Sequence, residues 1–149
     1  MTLIKTLYGS LLTVLMAMLP HLAMAGATLI TPEEAQLPTP KGAVTSRAIT
    51  RGPHIDLAGF DSKEMHSPVR LQLKFRGFGG ATIDLDSLRV TYVKTPNIDL
   101  TSRVRPYAEL TGIEIPDAEL PPGEHLIRME VRDSEGRHTT TTFVLNVAP

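Results

Sequence analysis

The sequence contains no cysteine and no tryptophan, and only 5% of its 149 residues are aromatic. Without thiols, disulfides, zinc–thiolate sites, iron–sulfur clusters and cysteine-dependent catalysis are all excluded. A folded domain of this composition must therefore be stabilised by its hydrophobic core alone. For an exported chain, this favours a bacterial periplasmic protein over a small animal secreted one.

Long basic runs and catalytic motifs are also missing. The 15 Lys and Arg residues and 16 Asp and Glu residues are interspersed, and the formal net charge is −1. Because there is no basic stripe, we expect no nucleic-acid partner. No Gly-x-Ser-x-Gly elbow or His-Glu-x-x-His motif occurs, and the glycines at 77–80 lead into a strand pattern rather than a phosphate-binding helix. We therefore predict a protein that is not an enzyme and uses no cofactor.

Residues 1–25 have the organisation of a secretory signal peptide. Lys5 precedes an apolar stretch from Leu7 to Leu19, and Ala23-Met24-Ala25 forms a small-x-small cleavage site. The apolar stretch is shorter than the ~20 residues of a membrane span. We predict cleavage after Ala25 and a periplasmic or secreted chain without a membrane span. An uncleaved N-terminal anchor is the alternative, and the absence of cysteine excludes bacterial lipoprotein anchoring.

Residues 26–52 resemble a tail more than a folded unit. They contain three prolines among small and polar residues. Thr31 and Pro32 have the residue types of a helix start, followed by two glutamates that favour a helix N-terminus. The segment is too short and interrupted for a stable helix, so we predict an extended tail or linker that could pair as a strand near 44–50. The folded domain is predicted over 53–149.

Short strands dominate the pattern of this domain. Apolar residues alternate with polar ones over 69–75, 88–92, 125–132 and 140–147, which is the period of strands with one buried face. Residues 53–57 predict an edge strand and 83–87 a loop, whereas 99–107 is compatible with a helical turn or an extended segment. The predicted core comprises Leu71, Leu73, Phe75, Leu88, Val90, Tyr92, Ile127, Met129, Val131, Phe143, Leu145 and Val147. Six or seven such strands without a long helical pattern predict an all-β antiparallel sandwich.

The clearest element is a hairpin over residues 121–147. Its turn is predicted at Asp133, whose carboxylate can accept a backbone N–H two residues on, and at Gly136, which can adopt the left-handed conformation. The run LPPGEHLIRMEVRDSEGRHTTTTFVLNV resembles the last hairpin of bacterial immunoglobulin-like and fibronectin-III-like domains. In those domains a Pro-Gly corner precedes a strand, an Asp-x-x-Gly turn follows it, and the final strand ends the domain.

This resemblance implies an immunoglobulin-like sandwich of about seven strands. It departs from the family at His125, two residues before the core position Ile127, where such folds often carry a corner tyrosine. We expect the imidazole to make a similar hydrogen bond back to the corner backbone. The resemblance implies no chemistry, because this architecture carries many unrelated functions.

Two sets of side chains form candidate metal sites. His66 and His125 are expected at one end of the sandwich and offer nitrogen ligands for Cu or Zn. The carboxylates of Asp84, Asp86, Asp133 and Glu135 are expected together at one end and offer oxygen ligands for Ca²⁺. Neither set has the ligand spacing of a metal motif. We therefore assign no metal residue and keep a periplasmic metal-binding protein as the alternative function.

Two aromatic residues remain as candidates for surface recognition. Phe78 lies between glycines at a predicted loop tip, where its ring is either packed into the end of the core, the interpretation we favour, or exposed as a binding anchor. Tyr107 raises the same question. We predict a non-catalytic protein-interaction or accessory module of the bacterial envelope, with another envelope protein as its partner.

Overall fold

The structure, a computed structural model, describes residues 26–47, 51–57 and 64–149. Of these residues, 52% lie in strands and 10% in helices. The strands form two sheets that share one hydrophobic core. The predicted signal peptide, residues 1–25, lies outside the described residues. Within the described ranges, no helix is long and apolar enough to cross a membrane.

The elements follow one another along the chain with short connections. The strands are β1 (Ala27–Thr28), β2 (Ser46–Arg47), β3 (His54–Asp56), β4 (Glu64–Met65), β5 (Val69–Arg76), β6 (Ile83–Tyr92), β7 (Ile98–Asp99), β8 (Ala108–Glu109), β9 (Gly112–Glu119), β10 (Gly123–Asp133) and β11 (His138–Val147). The helices are α1 (Pro32–Ala35), α2 (Thr101–Val104) and a 3-10 helix (Arg105–Tyr107). The first sheet has the order β1-β9-β5-β3, with β8 also paired to β9. The second has the order β2-β11-β10-β6-β7, with β4 also paired to β11.

The core is built from the apolar faces of the long strands. In β5, buried and exposed residues alternate strictly over Val69–Arg76, as expected for a strand with one face against the core. All twelve residues predicted for the core are buried, which confirms that prediction. Tyr92 and Leu88 are each 0% exposed. The period-two pattern therefore identified the central residues of both sheets correctly.

The hairpin predicted from the sequence is confirmed. β10 and β11 pair without interruption from Gly123 opposite Val147 to Arg132 opposite His138. Its turn uses the predicted contact, since Oδ1 of Asp133 accepts the N–H of the residue two positions on at 3.0 Å. The glycine that closes the turn has φ 77°, in the left-handed region.

The topology departs from a purely antiparallel sandwich of about seven strands. The described residues form eleven strands, and six of them contain only two or three residues. β1 runs parallel to β9 and β4 runs parallel to β11, so both sheets are mixed. A two-residue pairing leaves no periodic signal in the sequence. These short strands cover parts of the outer edges of β9 and β11, which limits pairing with other chains.

The predicted loop over 83–87 belongs to strand β6. The register between β6 and β10 slips between Glu130 and Arg132, which marks a β-bulge. Ser87 stabilises the slip, because its Oγ accepts the N–H of Arg132 at 2.7 Å and donates to the carbonyl of Asp84 at 2.6 Å. Arg105 donates to the carbonyl of Leu85 on the same stretch. A bulge interrupts the alternation, and the period-two pattern therefore misses this half of the strand.

The segment predicted as an extended tail or linker packs against the domain in its described part, 26–47, and β2 lies within the range 44–50 where strand pairing was predicted. Leu29 and Ile30 are 4% and 1% exposed and belong to the core. Thr31 caps α1, because its Oγ1 accepts the N–H of Glu34 at 3.3 Å while the Glu34 carboxylate accepts the Thr31 N–H at 2.9 Å. This is a capping box, and it satisfies two backbone donors of a helix only four residues long.

Two cationic side chains hold this N-terminal segment against the domain. Arg103 makes two hydrogen bonds to the Glu34 carboxylate, at 2.8 and 2.7 Å, and donates to the Leu29 carbonyl at 2.9 Å. Lys94 is buried, and its Nζ donates to the carbonyl of Ala35 at 2.9 Å. The hydrogen bonds from Arg103 lower the pKa of Glu34 below its ordinary value. Charge pairing, rather than helix propensity, therefore positions α1.

Replacing Arg103 by alanine is expected to lower the free energy of unfolding at pH 7 by about 1–3 kcal/mol, because charged hydrogen bonds to Glu34 are lost. Urea denaturation measures the loss. The control is Arg70→Ala, which breaks an exposed pair with Glu114 and should cost at most about 1 kcal/mol.

The pH dependence provides a second test of the same pair. Because folding lowers the pKa of Glu34, its contribution is complete above the ordinary pKa of 4.5 and declines as the pH falls towards the folded value. The difference in the free energy of unfolding between wild type and Arg103→Ala should therefore become smaller as the pH falls over that interval. Equal losses for Arg103→Ala and Arg70→Ala would contradict this account.

Candidate interaction surface at one end of the two sheets

The loop between β5 and β6 exposes an aromatic ring. Phe78 is 56% exposed, so the interpretation that its ring packs into the end of the core is wrong. Gly79 and Gly80 follow with φ 62° and 82°, values that glycine adopts at no steric cost. The N–H of Ala81 donates to the Phe78 carbonyl at 3.2 Å and closes the turn. The backbone is therefore ordered while the side chain faces solvent.

Arg137, just after the β10–β11 turn, holds the Phe78 loop in place. Its Nη2 donates to the Phe78 carbonyl at 2.8 Å. The guanidinium carbon lies 5.3 Å from the centroid of the Phe78 ring, within the ~6 Å range of a cation–π contact. The ring is thus exposed and restrained at the same time.

Backbone contacts join the two loops directly. The N–H of Ser134 donates to the Thr82 carbonyl at 2.8 Å, and the N–H of Thr82 donates to Oγ of Ser134 at 3.2 Å. The loop that carries Phe78 and the turn that carries Arg137 therefore form one structural unit. The position of Phe78 depends on the turn of the last hairpin, which is more than fifty residues further along the chain.

A buried carboxylate fixes Arg137 in turn. Oδ2 of Asp133 accepts from Nε of Arg137 at 2.8 Å, and Oδ1 accepts the Arg137 N–H at 3.0 Å. Burial acts to raise the pKa of Asp133, but the hydrogen bonds from Arg137 and from the N–H of Glu135 outweigh it and hold the pKa below its ordinary value. The charged carboxylate is therefore the form that the hairpin turn stabilises.

A second exposed apolar side chain lies at the same end. Leu110 is 56% exposed and stands in the turn before β9. Lys74 pairs with Gly112, and the N–H of Phe75 donates to the Thr111 carbonyl at 2.9 Å, so this turn lies beside the end of β5 that leads into the Phe78 loop. We call Phe78 and Leu110 together the apolar end. Apart from Val44, they are the only exposed large hydrophobic residues in the described ranges.

Tyr107 forms the wall of a groove and is not an exposed anchor. It is half-buried in the 3-10 helix and packs against the core. The groove, of about 510 Å³, lies between this helix and the outer face of the first sheet and is lined by Gln72, Lys74, Pro106, Glu109, Thr111, Gly112, Glu114 and Pro116 among others. Since Thr111 follows Leu110, the groove adjoins the apolar end.

His125 is part of the corner and the core. It is 1% exposed, its Nε2 lies 2.7 Å from the Pro121 carbonyl oxygen, and its Nδ1 lies 2.9 Å from the Tyr92 hydroxyl. The predicted hydrogen bond to the corner backbone is confirmed. Because both ring nitrogens are engaged, metal binding at His125 would require breaking one of these contacts. His66 is exposed.

The four carboxylates considered for Ca²⁺ do not form one metal-binding cluster among the described residues. Asp84 lies opposite Arg132 on the exposed face, whereas Asp133 lies opposite Ile83 on the core side. Asp86 pairs with Arg105 at 2.6 Å and Glu135 pairs with Arg137 at 3.2 Å. Among the residues whose placement is described, no group of three or more His, Asp or Glu side chains is arranged to hold a metal ion.

Sequence reasoning missed two residues of this surface. Arg137 carries a weak signal, since it stands four positions after Asp133, across the turn that was predicted. Leu110 carries none, because it is a single apolar residue outside any alternating run. No protein-family model, curated protein or solved structure matches this chain, so the immunoglobulin-like and fibronectin-III-like assignment stays a prediction.

Replacing His125 by phenylalanine is expected to lower the free energy of unfolding at pH 7 by about 2–3 kcal/mol, since the buried Tyr92 hydroxyl and Pro121 carbonyl lose their partner. Chemical denaturation measures the loss. His54→Gln, at an exposed histidine of an edge strand, is the control and should change stability little.

The same variant should also change the pH profile. Burial, assisted by the charge of Lys94, lowers the pKa of His125 from its ordinary 6.5. The neutral ring therefore contributes fully above pH 6.5, and wild-type stability declines as the pH falls from there towards the folded pKa. The part of the stability loss that comes from protonation of His125 should be absent in His125→Phe. An unchanged pH profile would contradict the assignment.

Proposed function

We propose that the mature chain is a non-catalytic protein-interaction module of the bacterial envelope, exported to the periplasm or secreted. In this proposal another envelope protein binds at the apolar end. The observation that carries it is Phe78, which is exposed to solvent and yet restrained by Arg137. A large aromatic side chain whose backbone is hydrogen-bonded and whose ring already has a cation–π contact loses less conformational entropy when a partner covers it.

The surroundings of Phe78 support this role. Leu110 adds a second apolar contact at the same end, and the exposed polar residues Ser134 and Glu135 lie in the turn tied to the Phe78 loop. An apolar centre with a polar rim is the usual composition of a protein interface. The groove beside Tyr107 offers further concave surface next to this end.

The use of the other candidate side chains favours binding over metal chemistry. His125 and Asp133 are buried, and their polar atoms make hydrogen bonds within the fold. Asp86 and Glu135 are paired with arginines. Each of these side chains therefore already has a structural role.

The domain assignment belongs to the same proposal. We infer an immunoglobulin-like sandwich, in which β5, β6, β9, β10 and β11 are the principal strands and the short parallel strands are additions at the edges. Two sheets with one shared core and the His125 corner support this inference. Loops at the end of such a sandwich are common binding surfaces, because a rigid scaffold positions them.

The first test is capture of a partner from envelope extract with the chain of residues 26–149, followed by a binding measurement with the purified partner. Phe78→Ala is expected to weaken binding about tenfold or more, because the anchor ring is lost. Leu110→Ala should weaken it less. Val44→Ala is the matched control, since Val44 is 70% exposed but lies in a different segment, and it should leave the affinity unchanged.

Three outcomes would contradict the proposal. The first is a partner bound equally well by wild type and Phe78→Ala, and the second is the absence of any specific partner. The third is a rise in melting temperature on addition of Cu²⁺, Zn²⁺ or Ca²⁺, which would support the metal-binding alternative, because a ligand that binds the native state stabilises it. All variants should retain wild-type melting temperatures, which separates loss of binding from loss of folding.

A further inference from the structure

The first described residue lies unusually close to strand β9. β1 pairs in parallel with β9, with Ala27 opposite Ala118 and Thr28 opposite Glu119. A Cβ at position 26 would lie 2.7 Å from the carbonyl oxygen of Asp117, closer than side-chain carbons pack. Glycine at position 26 therefore lets the main chain lie directly against β9.

Glu119 holds this end of the chain with both its side chain and its backbone. Its Oε2 accepts from the Thr28 hydroxyl at 3.1 Å, and its backbone carbonyl accepts the N–H of Leu29 at 3.0 Å. Its Oε1 lies 3.1 Å from the position that a Cβ on Gly26 would occupy. The carboxylate is thus directed towards the main chain of residue 26.

Removal of the predicted signal peptide changes the charge at this point. Hydrolysis of the Ala25–Gly26 peptide bond adds one water molecule, leaving a carboxylate on Ala25 and an α-ammonium group on Gly26. The nitrogen and a Cβ are bonded to the same Cα and lie about 2.5 Å apart, so the new ammonium group forms in the neighbourhood of the Glu119 carboxylate. Before cleavage the same nitrogen belongs to a neutral amide and cannot form an ion pair.

We propose that signal-peptide cleavage creates an ion pair between the Gly26 α-ammonium group and the Glu119 carboxylate, and that this pair completes the docking of β1. The inference rests on the export and cleavage that are part of the proposed function. It adds a maturation step, because strand β1, which is already paired with β9, gains a further contact in the processed chain. The site is at the opposite end of β9 from the apolar end, where Gly112 begins the strand.

The effect of this pair should be local. Glu119 is exposed, and exposed ion pairs contribute little to global stability. β1 contains only two residues, however, so a small contribution can control how often it opens. The amides of Leu29 and Ile30 report on this opening, since both donate to the Glu119 carbonyl.

Hydrogen exchange of these two amides tests the proposal. The chain that begins at Gly26 is compared with a chain that begins at Met24, in which the Gly26 nitrogen remains an amide. Protection of Leu29 and Ile30 at pH 7 should be about two- to fivefold higher in the chain that begins at Gly26. Glu119→Gln in both chains should abolish the difference, whereas Asp117→Asn, at a neighbouring exposed carboxylate, should preserve it.

The pH dependence has a defined sign. An adjacent carboxylate raises the pKa of an α-amino group above its ordinary ~7.7–8.0. The extra protection is therefore complete below that range and lost as the pH rises through the raised value. Equal protection in the two chains, or a difference that survives Glu119→Gln, would overturn the ion pair while leaving the proposed export intact.

N-terminal sequencing of the exported protein distinguishes a failure of the predicted cleavage from a failure of the proposed ion pair. A chain beginning at Gly26 supports the premise, and the exchange data then decide about the ion pair. A chain beginning at any other residue overturns both the predicted cleavage and the pair. The Phe78 binding assay is independent of either result, because the apolar end is remote from Gly26.

Discussion

The ladder between β10 and β11 is the interaction on which the other parts of the molecule depend. It is the longest continuous pairing among the described residues, and both strands bury one face in the core. β10 pairs on its other side with β6, and β11 pairs with the short strands β2 and β4, so the second sheet is assembled on this hairpin. One end of the hairpin carries His125 of the corner, and the turn at its other end carries Arg137, which holds the Phe78 loop.

A domain without disulfides has to position its irregular segments by other means. Here, buried or half-buried polar side chains perform this task. Arg103 and Lys94 hold α1, His125 connects the corner to Tyr92, and Asp133 orients Arg137. Such groups are costly to bury without partners, and their satisfied hydrogen bonds favour one arrangement of the loops over others. The apolar core supplies stability, whereas these polar contacts determine where the non-periodic segments lie.

The tyrosine at the centre of one polar cluster shows how closely the segments are coupled. Burial raises the pKa of Tyr92 to about 12, and the negative charge of Glu34 on α1 adds to the effect. The same tyrosine contacts His125, and Lys94 lies 5.1 Å from its ring centroid. Tyr92 of strand β6 therefore contacts the corner before β10 directly, and Lys94 links it to the N-terminal segment.

The two ends of β9 have separate roles in the proposals. Near Gly112 lies the apolar end with Phe78 and Leu110, where a partner is proposed to bind. Near Glu119 lies Gly26, the predicted first residue after signal-peptide cleavage, where an ion pair is proposed to strengthen the pairing of β1. Because strand β9 separates the two sites, the proposed ion pair would not cover the proposed binding surface.

The sequence by itself determined what depends on local periodicity and turn chemistry. The alternation around Leu71 and Ile127 identified the core, and the Asp133 turn and the His125 corner followed from residue types a few positions apart. Only the tertiary structure decided that residues 27–35 pack against the domain, that β6 contains a bulge, and that Phe78 is exposed and restrained. Each of these features depends on contacts between residues tens of positions apart, such as Arg103 with Glu34. Such contacts leave no period in the sequence, because they arise only when the two sheets have brought the segments together.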